Sequence, residues 1–202
     1  LGWSHPQEEE FLFREQLEQV FDINRCNKAD AVFDTDKLTW LNGKHLRQRS
    51  GSELAFLVLP FLTEQGNLPG EILSPTSERL ISILDGLKDH MELLAHAAQI
   101  LPPLFQDNTP PEDNEARSWL ENPESRQLIT SIITSLEQSG PQSREGFFAL
   151  VKEAGKEHKI KGKQLFMPLR IAMTGAKHGP ELPLLYELIG HERTLKRMRS
   201  NL

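Results

Sequence analysis

Cysteine is nearly absent from this 202-residue chain. Cys26 stands alone, so no internal disulfide can form. It reads as a plain structural or surface thiol, and a reducing, cytoplasmic setting is expected. Long hydrophobic runs are also missing. The longest, Leu54 to Leu62 (LAFLVLPFL), falls well short of the roughly 20 residues needed to span a bilayer and contains Pro60. No basic-then-apolar leader opens the sequence, so no membrane partner is expected. Gly43, Gly162, Gly175 and Gly179 occur singly between polar or helical stretches. They read as turns or helix ends, not as a glycine-rich loop that cradles phosphates. His90 and His96 would lie on different faces of a helix, Cys26 has no histidine nearby, and no nucleophile-elbow string occurs. Neither a catalytic residue nor a metal site is therefore expected in this chain.

Sustained period-two alternation is missing too, which turns attention to what is present. Apolar residues recur at helical spacing from Glu8 to Asp22, at Phe11, Leu12, Leu17, Val20 and Phe21. Asp36 is a candidate cap for a helix holding Leu38, Trp40 and Leu41, with Asn42-Gly43 as a kink or turn. Ser52 opens an apolar helix through Leu62. Thr76-Ser77-Glu78 opens a longer one striped by Leu80, Ile83, Leu84, Leu87, Met91 and Leu94, which Pro102-Pro103 ends. The acidic, proline-bearing run Gln106 to Glu115 is the best linker. Helices near 116–121, 124–138, 143–158 and 165–174 follow, then one beginning near Pro183. The fold class is all-α, with no strand beyond a short one at Ala31-Val32-Phe33. At 202 residues and 13 prolines, one large domain or two small ones fit.

The net charge is −6, an unpromising total for a nucleic-acid binder, but the charge is segregated. Residues 1–22 sum to −5, residues 152–178 to +5, and the last helix to +3. An acidic chain with a basic C-terminal face can steer RNA while disfavouring indiscriminate binding. For any single lysine the alternative is a solvated helix face. The segment from Ala31 to Arg47 adds a second candidate surface. There Trp40, Asn42 and the cations Lys37, Lys44 and Arg47 crowd a short stretch, and such groups suit a phosphate backbone. Trp40 reads equally as core.

That segment resembles the one following the catalytic domain of bacterial-type glutamyl-tRNA synthetases. The likeness continues in Leu1-Gly2-Trp3-Ser4, in Asp22-Ile23-Asn24-Arg25 with Asn27-Lys28-Ala29-Asp30, and in Leu165 to Gly175 (LFMPLRIAMTG). It also includes Gly179-Pro180 and Leu188-Ile189-Gly190-His191-Glu192-Arg193. The blocks occur in the family's order, while 51–143 match loosely. The family's His-Ile-Gly-His-like and Lys-Met-Ser-Lys-Ser-like strings do not occur. The resemblance therefore implies the tRNA-reading, C-terminal portion of a class I aminoacyl-tRNA synthetase, a ligase of protein biosynthesis. By itself it would not activate glutamate, because the ATP- and magnesium-using half is elsewhere.

The same resemblance implies consecutive helical bundles. These are a stem-contact segment over 1–50 and two anticodon-binding subdomains over 51–106 and 107–202. Arg170 would contact an anticodon base, with a structural ion pair as the alternative. Thr174, Gly175 and Pro180 would line that site, or simply cap two helices. Where the family places an arginine that reads the third anticodon base, this sequence offers His90, with Lys88 as a substitute. Histidine is shorter and only partly cationic near neutrality. A parent enzyme charging both glutamate and glutamine tRNAs is thus one expectation, and plain surface is the other for His90. Lys37, Trp40, Asn42, Lys44 and Arg47 would meet the inner side of the tRNA L. Implied partners are tRNA(Glu), tRNA(Gln) as an extension, and the catalytic half, with a monomeric chain. The contrasting reading is a helical protein-interaction scaffold whose basic C-terminal face meets an acidic partner.

Overall fold

The computed structural model describes residues 2–27, 32–64 and 68–202. Leu1, the Lys28-Ala29-Asp30 part of the loop motif and Ala31 lie outside the described residues. Among the described residues there are eleven α-helices and no strand. Val32 and Phe33 are exposed coil, Val32 at 91 %. No helix among these residues is long and apolar enough to cross a membrane.

Most helices begin where a short polar side chain takes an amide that the first turn leaves unpaired. Helix α1 spans Arg14–Val20, α2 Thr35–Arg47 and α3 Gly51–Thr63. Asp34, not Asp36, caps α2 by accepting from Lys37 N at 2.9 Å. Ser50 and Glu53 form a reciprocal capping box that starts α3 one residue before Ser52. Helix α4 (Glu78–Leu87) is capped by Ser77, as the sequence suggests. Helix α5 spans Ala97–Phe105, α6 Asn114–Glu121 and α7 Pro123–Ser139. Helix α8 covers Arg144–Glu157, α9 Lys163–Thr174, α10 Leu182–Ile189 and α11 His191–Ser200.

Three departures from the periodicity share a cause, which is a distant partner. Residues 8–13 are not helical, although the spacing suggests a helix from Glu8. Phe11 and Phe13 instead pack their rings against His45 of α2, and Glu10 pairs with Lys37 at 2.7 Å, stretching the segment along that helix. The stripe from Leu80 to Leu94 is not one helix. After Leu87 the chain runs through 3₁₀ turns at Lys88–His90 and Leu94–His96. There the carbonyls of Asp89 and Glu92 accept from Arg47 and Asn42 of α2 rather than from the next helical turn. Met91 stays fully buried. Pro102 and Pro103 lie inside α5 rather than ending it, because Leu101 and Leu104 are buried and the Pro103 carbonyl is taken by Arg197.

The core joins α3–α5 to α6–α11. Helix α3 packs on α4 and α5, α9 on α6, α7 and α11, and α8 on α7 and α10. Fully buried leucines such as Leu54, Leu84, Leu128 and Leu169 each stabilise the fold by about 1.5–3 kcal/mol relative to exposure. At Gly86 the α4 backbone approaches α10 so closely that a Cβ would stand 2.9 Å from Leu184 Cδ1. The end of α4 is thereby fixed against the start of α10.

The 106–115 run connects α5 to α6 but does not behave as a free linker. Gln106 O accepts from both Arg197 Nε and Nη2, at 3.0 and 2.6 Å. Asp107 holds Arg193 and Lys196, Thr109 is buried, and Glu112 N donates to Gly175 O at 2.9 Å. Gly175 closes α9 in the left-handed conformation (φ +73°), and a Cβ there would meet Pro110 O at 2.3 Å. This strap is ordered by contacts along its length.

Candidate nucleic-acid interface

Helix α9 sets the principal site. Pro168 and Leu169 face the core, which turns Arg170 to the surface edge, half-buried. Its Nη1 donates to the Pro180 carbonyl at 2.6 Å, and Gly179 lies alongside. Burial lowers the guanidinium pKa, opposed by the nearby Glu181 carboxylate. The side chain stays cationic and is held by one nitrogen, leaving the rest of its donor fork directed to a neighbouring cleft. Arg170 has no ion-pair partner within 4.0 Å among the described residues.

That cleft has a volume of about 530 Å³ and is bordered by Arg144, Phe148, Phe166, Arg170, Glu181 and Pro183, among others. Phe148 of α8 and Phe166 of α9 stack with ring centroids 6.2 Å apart. The Lys152 ammonium stands 4.4 Å from the Phe148 centroid. Arg144 is braced by Glu187 at 2.5 Å. An apolar, aromatic-walled cleft with a cationic fork at its edge can take a planar group that carries hydrogen-bond acceptors.

The other expected residues divide between the end of α9 and the turn after α4. Thr174 and Pro180 come near Arg170, but by different atoms. Thr174 Oγ1 donates to Arg170 O at 2.8 Å and accepts from Ala176 N, so its hydroxyl ends α9. Gly175 ends the same helix and binds the strap, and Pro180 contributes its carbonyl to Arg170. Lys88 and His90 sit on the 3₁₀ turn after α4. The Lys88 ammonium reaches Arg49 O and Asp85, both near 3.4 Å, whereas His90 is exposed.

In α2, Asn42-Gly43 form no kink or turn: both lie inside one continuous helix. Asn42 Nδ2 donates to Glu92 O at 2.5 Å, and Gly43 is buried against Glu92. Arg47 reaches Asp89 O at 3.4 Å. These two side chains anchor α2 to the 88–93 segment. Trp40 is half-buried rather than core, with the Lys44 ammonium 5.3 Å above its ring. Lys37 is paired with Glu10.

The basic C-terminal face also needs correction. On α11, Arg193 and Lys196 pair with Asp107 and Arg199 pairs with Glu137. Arg197 is 1 % exposed and donates to the carbonyls of Pro103, Gln106 and Met173. Lys177 is held by Asp113 and Glu115, whose hydrogen bonds raise its pKa. Among the described residues, Lys152 of α8 and Lys159 and Lys161 of the turn after it have no carboxylate within 4.0 Å. Arg144 and Phe148 escaped sequence reasoning, although with Lys152 and Lys156 they form a row at four-residue spacing, a detectable helical ridge.

Residues 53–202 match the family model described as the anticodon binding domain. The chain is 36 % identical to a glutamate–tRNA ligase of Bacillus licheniformis, over 99 % of this chain and 41 % of that protein. It is 34 % identical to the glutamate–tRNA ligase of Clostridioides difficile, over 98 % and 40 %. The chain thus spans about two fifths of the length of the curated relatives it matches. A crystal structure of a glutamate tRNA ligase from Elizabethkingia meningosepticum superposes with a TM-score of 0.79 at 24 % identity. That likeness covers all of this chain and 38 % of the other, and it concerns the fold.

Proposed function

Because the chain belongs to the anticodon-binding domain family, we propose that it reads the anticodon of a glutamate tRNA within a glutamate–tRNA ligase. The single observation that carries this is Arg170, pinned by the Pro180 carbonyl at the edge of the aromatic cleft. An unstacked loop base entering the cleft meets the Phe148–Phe166 pair as a stacking surface and the Arg170 fork at its polar edge. A guanidinium already held by one bond loses little freedom on binding the base.

In this reading the chain supplies selection and positioning, and glutamate activation with ATP and magnesium belongs to another part of the ligase. The protein works in the cytoplasm as a monomer. His90 is the open side chain of the turn after α4, since Lys88 is occupied by Arg49 O and Asp85. A reader shorter than arginine at that end supports a relaxed choice between glutamate and glutamine tRNAs. The fixed approach of α4 to α10 at Gly86 and Leu184 keeps this turn and the Arg170 cleft in constant relation.

The test is binding of the chain to glutamate, glutamine and unrelated tRNA transcripts, beside Arg170→Ala and Arg170→Lys. The alanine variant should lose about tenfold or more of its preference for the cognate anticodon, as expected for removal of a forked base contact. The lysine variant should recover only part of it. Equal binding of all transcripts by the unaltered chain would instead favour a helical scaffold that meets polyanions without reading them.

A further inference from the structure

A second cleft, about 550 Å³ in volume, adjoins the first and is bordered by Lys152, Lys156, Lys159, Lys161 and Gly162. Phe166 borders both clefts, so they share a wall. We propose that the lysine-lined cleft is a phosphate track that receives the RNA backbone next to the base bound at Arg170. This inference rests on the anticodon reading above and adds a separate, sequence-independent contact to it.

Four observations support it. Arg144, Phe148, Lys152 and Lys156 follow one another at four-residue spacing along α8, and Lys159 and Lys161 extend the row past the helix end. Apart from Arg144, which Glu187 holds, these cations are available, unlike those of α11. Lys152, Lys159 and Lys161 have no carboxylate within 4.0 Å among the described residues, and Lys156 has only the exposed Glu153 at 3.4 Å. The turn that carries Lys159 and Lys161 is built for close approach. Gly162 has φ +60° with open space where a Cβ would be, so a backbone can pass beside it. Finally, the row leads into aromatic rings, and cations interleaved with stacking surfaces match single-stranded RNA better than an acidic protein surface. Elsewhere the chain is acidic, with −5 over residues 1–22 alone, which repels a polyanion and orients it toward this row.

Lysine contacts to phosphate are read through their salt dependence. Each phosphate neutralised on a single strand contributes about 0.7 to the slope of log affinity against log salt. The experiment measures that slope for the unaltered chain, for Lys159→Gln, for the triple variant Lys152→Gln/Lys159→Gln/Lys161→Gln and for Lys196→Gln. Glutamate, glutamine and unrelated tRNA transcripts serve as probes. Lys159→Gln and Lys196→Gln change net charge equally, but Lys196 is bound to Asp107.

The track requires a fall in slope of about 2 in the triple variant and of less than 1 in Lys159→Gln. It also requires roughly tenfold or greater weakening that is the same for every tRNA, with selectivity and melting temperature kept and Lys196→Gln unchanged. An unchanged slope in the triple variant, with selectivity still lost in Arg170→Ala, overturns the track and leaves the anticodon reading. A reduced slope with equal grip on every RNA leaves the track and overturns the reading. Equal losses in Lys159→Gln and Lys196→Gln reduce the effect to net charge and overturn the track. Failure of the unaltered chain to bind any RNA at low salt overturns both.

Discussion

Arg197 shows how one residue type serves opposite ends in this chain. Its guanidinium is buried with no carboxylate within 4.0 Å among the described residues, and donates four hydrogen bonds to three carbonyls: Pro103 at the end of α5, Gln106 in the strap and Met173 near the end of α9. Burial and then neighbouring Arg193 lower its pKa to about 10, so it remains charged at neutrality. Arg197→Met would remove four hydrogen bonds at once, leaving Met173 O with only the 3.4 Å bond from Thr109 Oγ1, and should cost roughly 3 kcal/mol or more in denaturant unfolding. Arg197→Lys, which cannot fork, should recover only part of that. Arg170 donates one such bond instead and borders an open cleft. Sequence spacing does not separate these two arginines, because the difference lies in the number of carbonyls that converge on each.

Among the elements, α2 and the strap carry contacts that their own sequences do not announce. Asn42-Gly43 reads locally as a turn, yet Asn42 is a half-buried bolt to Glu92 O and Gly43 leaves room for that crossing. Asn42→Ala should therefore lower stability by about 1 kcal/mol while leaving tRNA affinity nearly intact. The reverse pattern would return Asn42 to the RNA surface. The strap predicts a pH effect. Hydrogen bonds from Lys196 and Arg193 hold the Asp107 carboxyl below its usual 3.8. A carboxyl depressed on folding stabilises above its unfolded value, and that stability is lost as pH falls through the lower folded value. Asp107→Asn should lower the melting temperature at pH 7, and the gap to the unaltered chain should close below pH 3.8, as calorimetry at both pH values would show.

For the whole molecule, the proposed function makes this chain a reading head joined to a catalytic part of a ligase. Joining two contact regions on one chain raises the effective concentration of each for the other. The intact ligase should bind its tRNA roughly 10²-fold more tightly than this chain alone, with the same Arg170 dependence, as titrations of both would show. The all-α class, the cap at Ser77, the start of α8 near Ser143 and the buried leucine stripe of α4 were determined by sequence itself. Those features depend on residues within about one helical turn of each other. The motif around Arg170 likewise fell on a helix, α9. Only the tertiary structure decided that α11 turns its cations inward, that the acidic run is a clasp, and that Phe148 and Phe166 meet beside Arg170. Each depends on partners far apart in the chain, such as Arg197 and Gln106 at a separation of 91 residues. Charge and periodicity show which groups a residue offers, and packing selects which of them reach solvent.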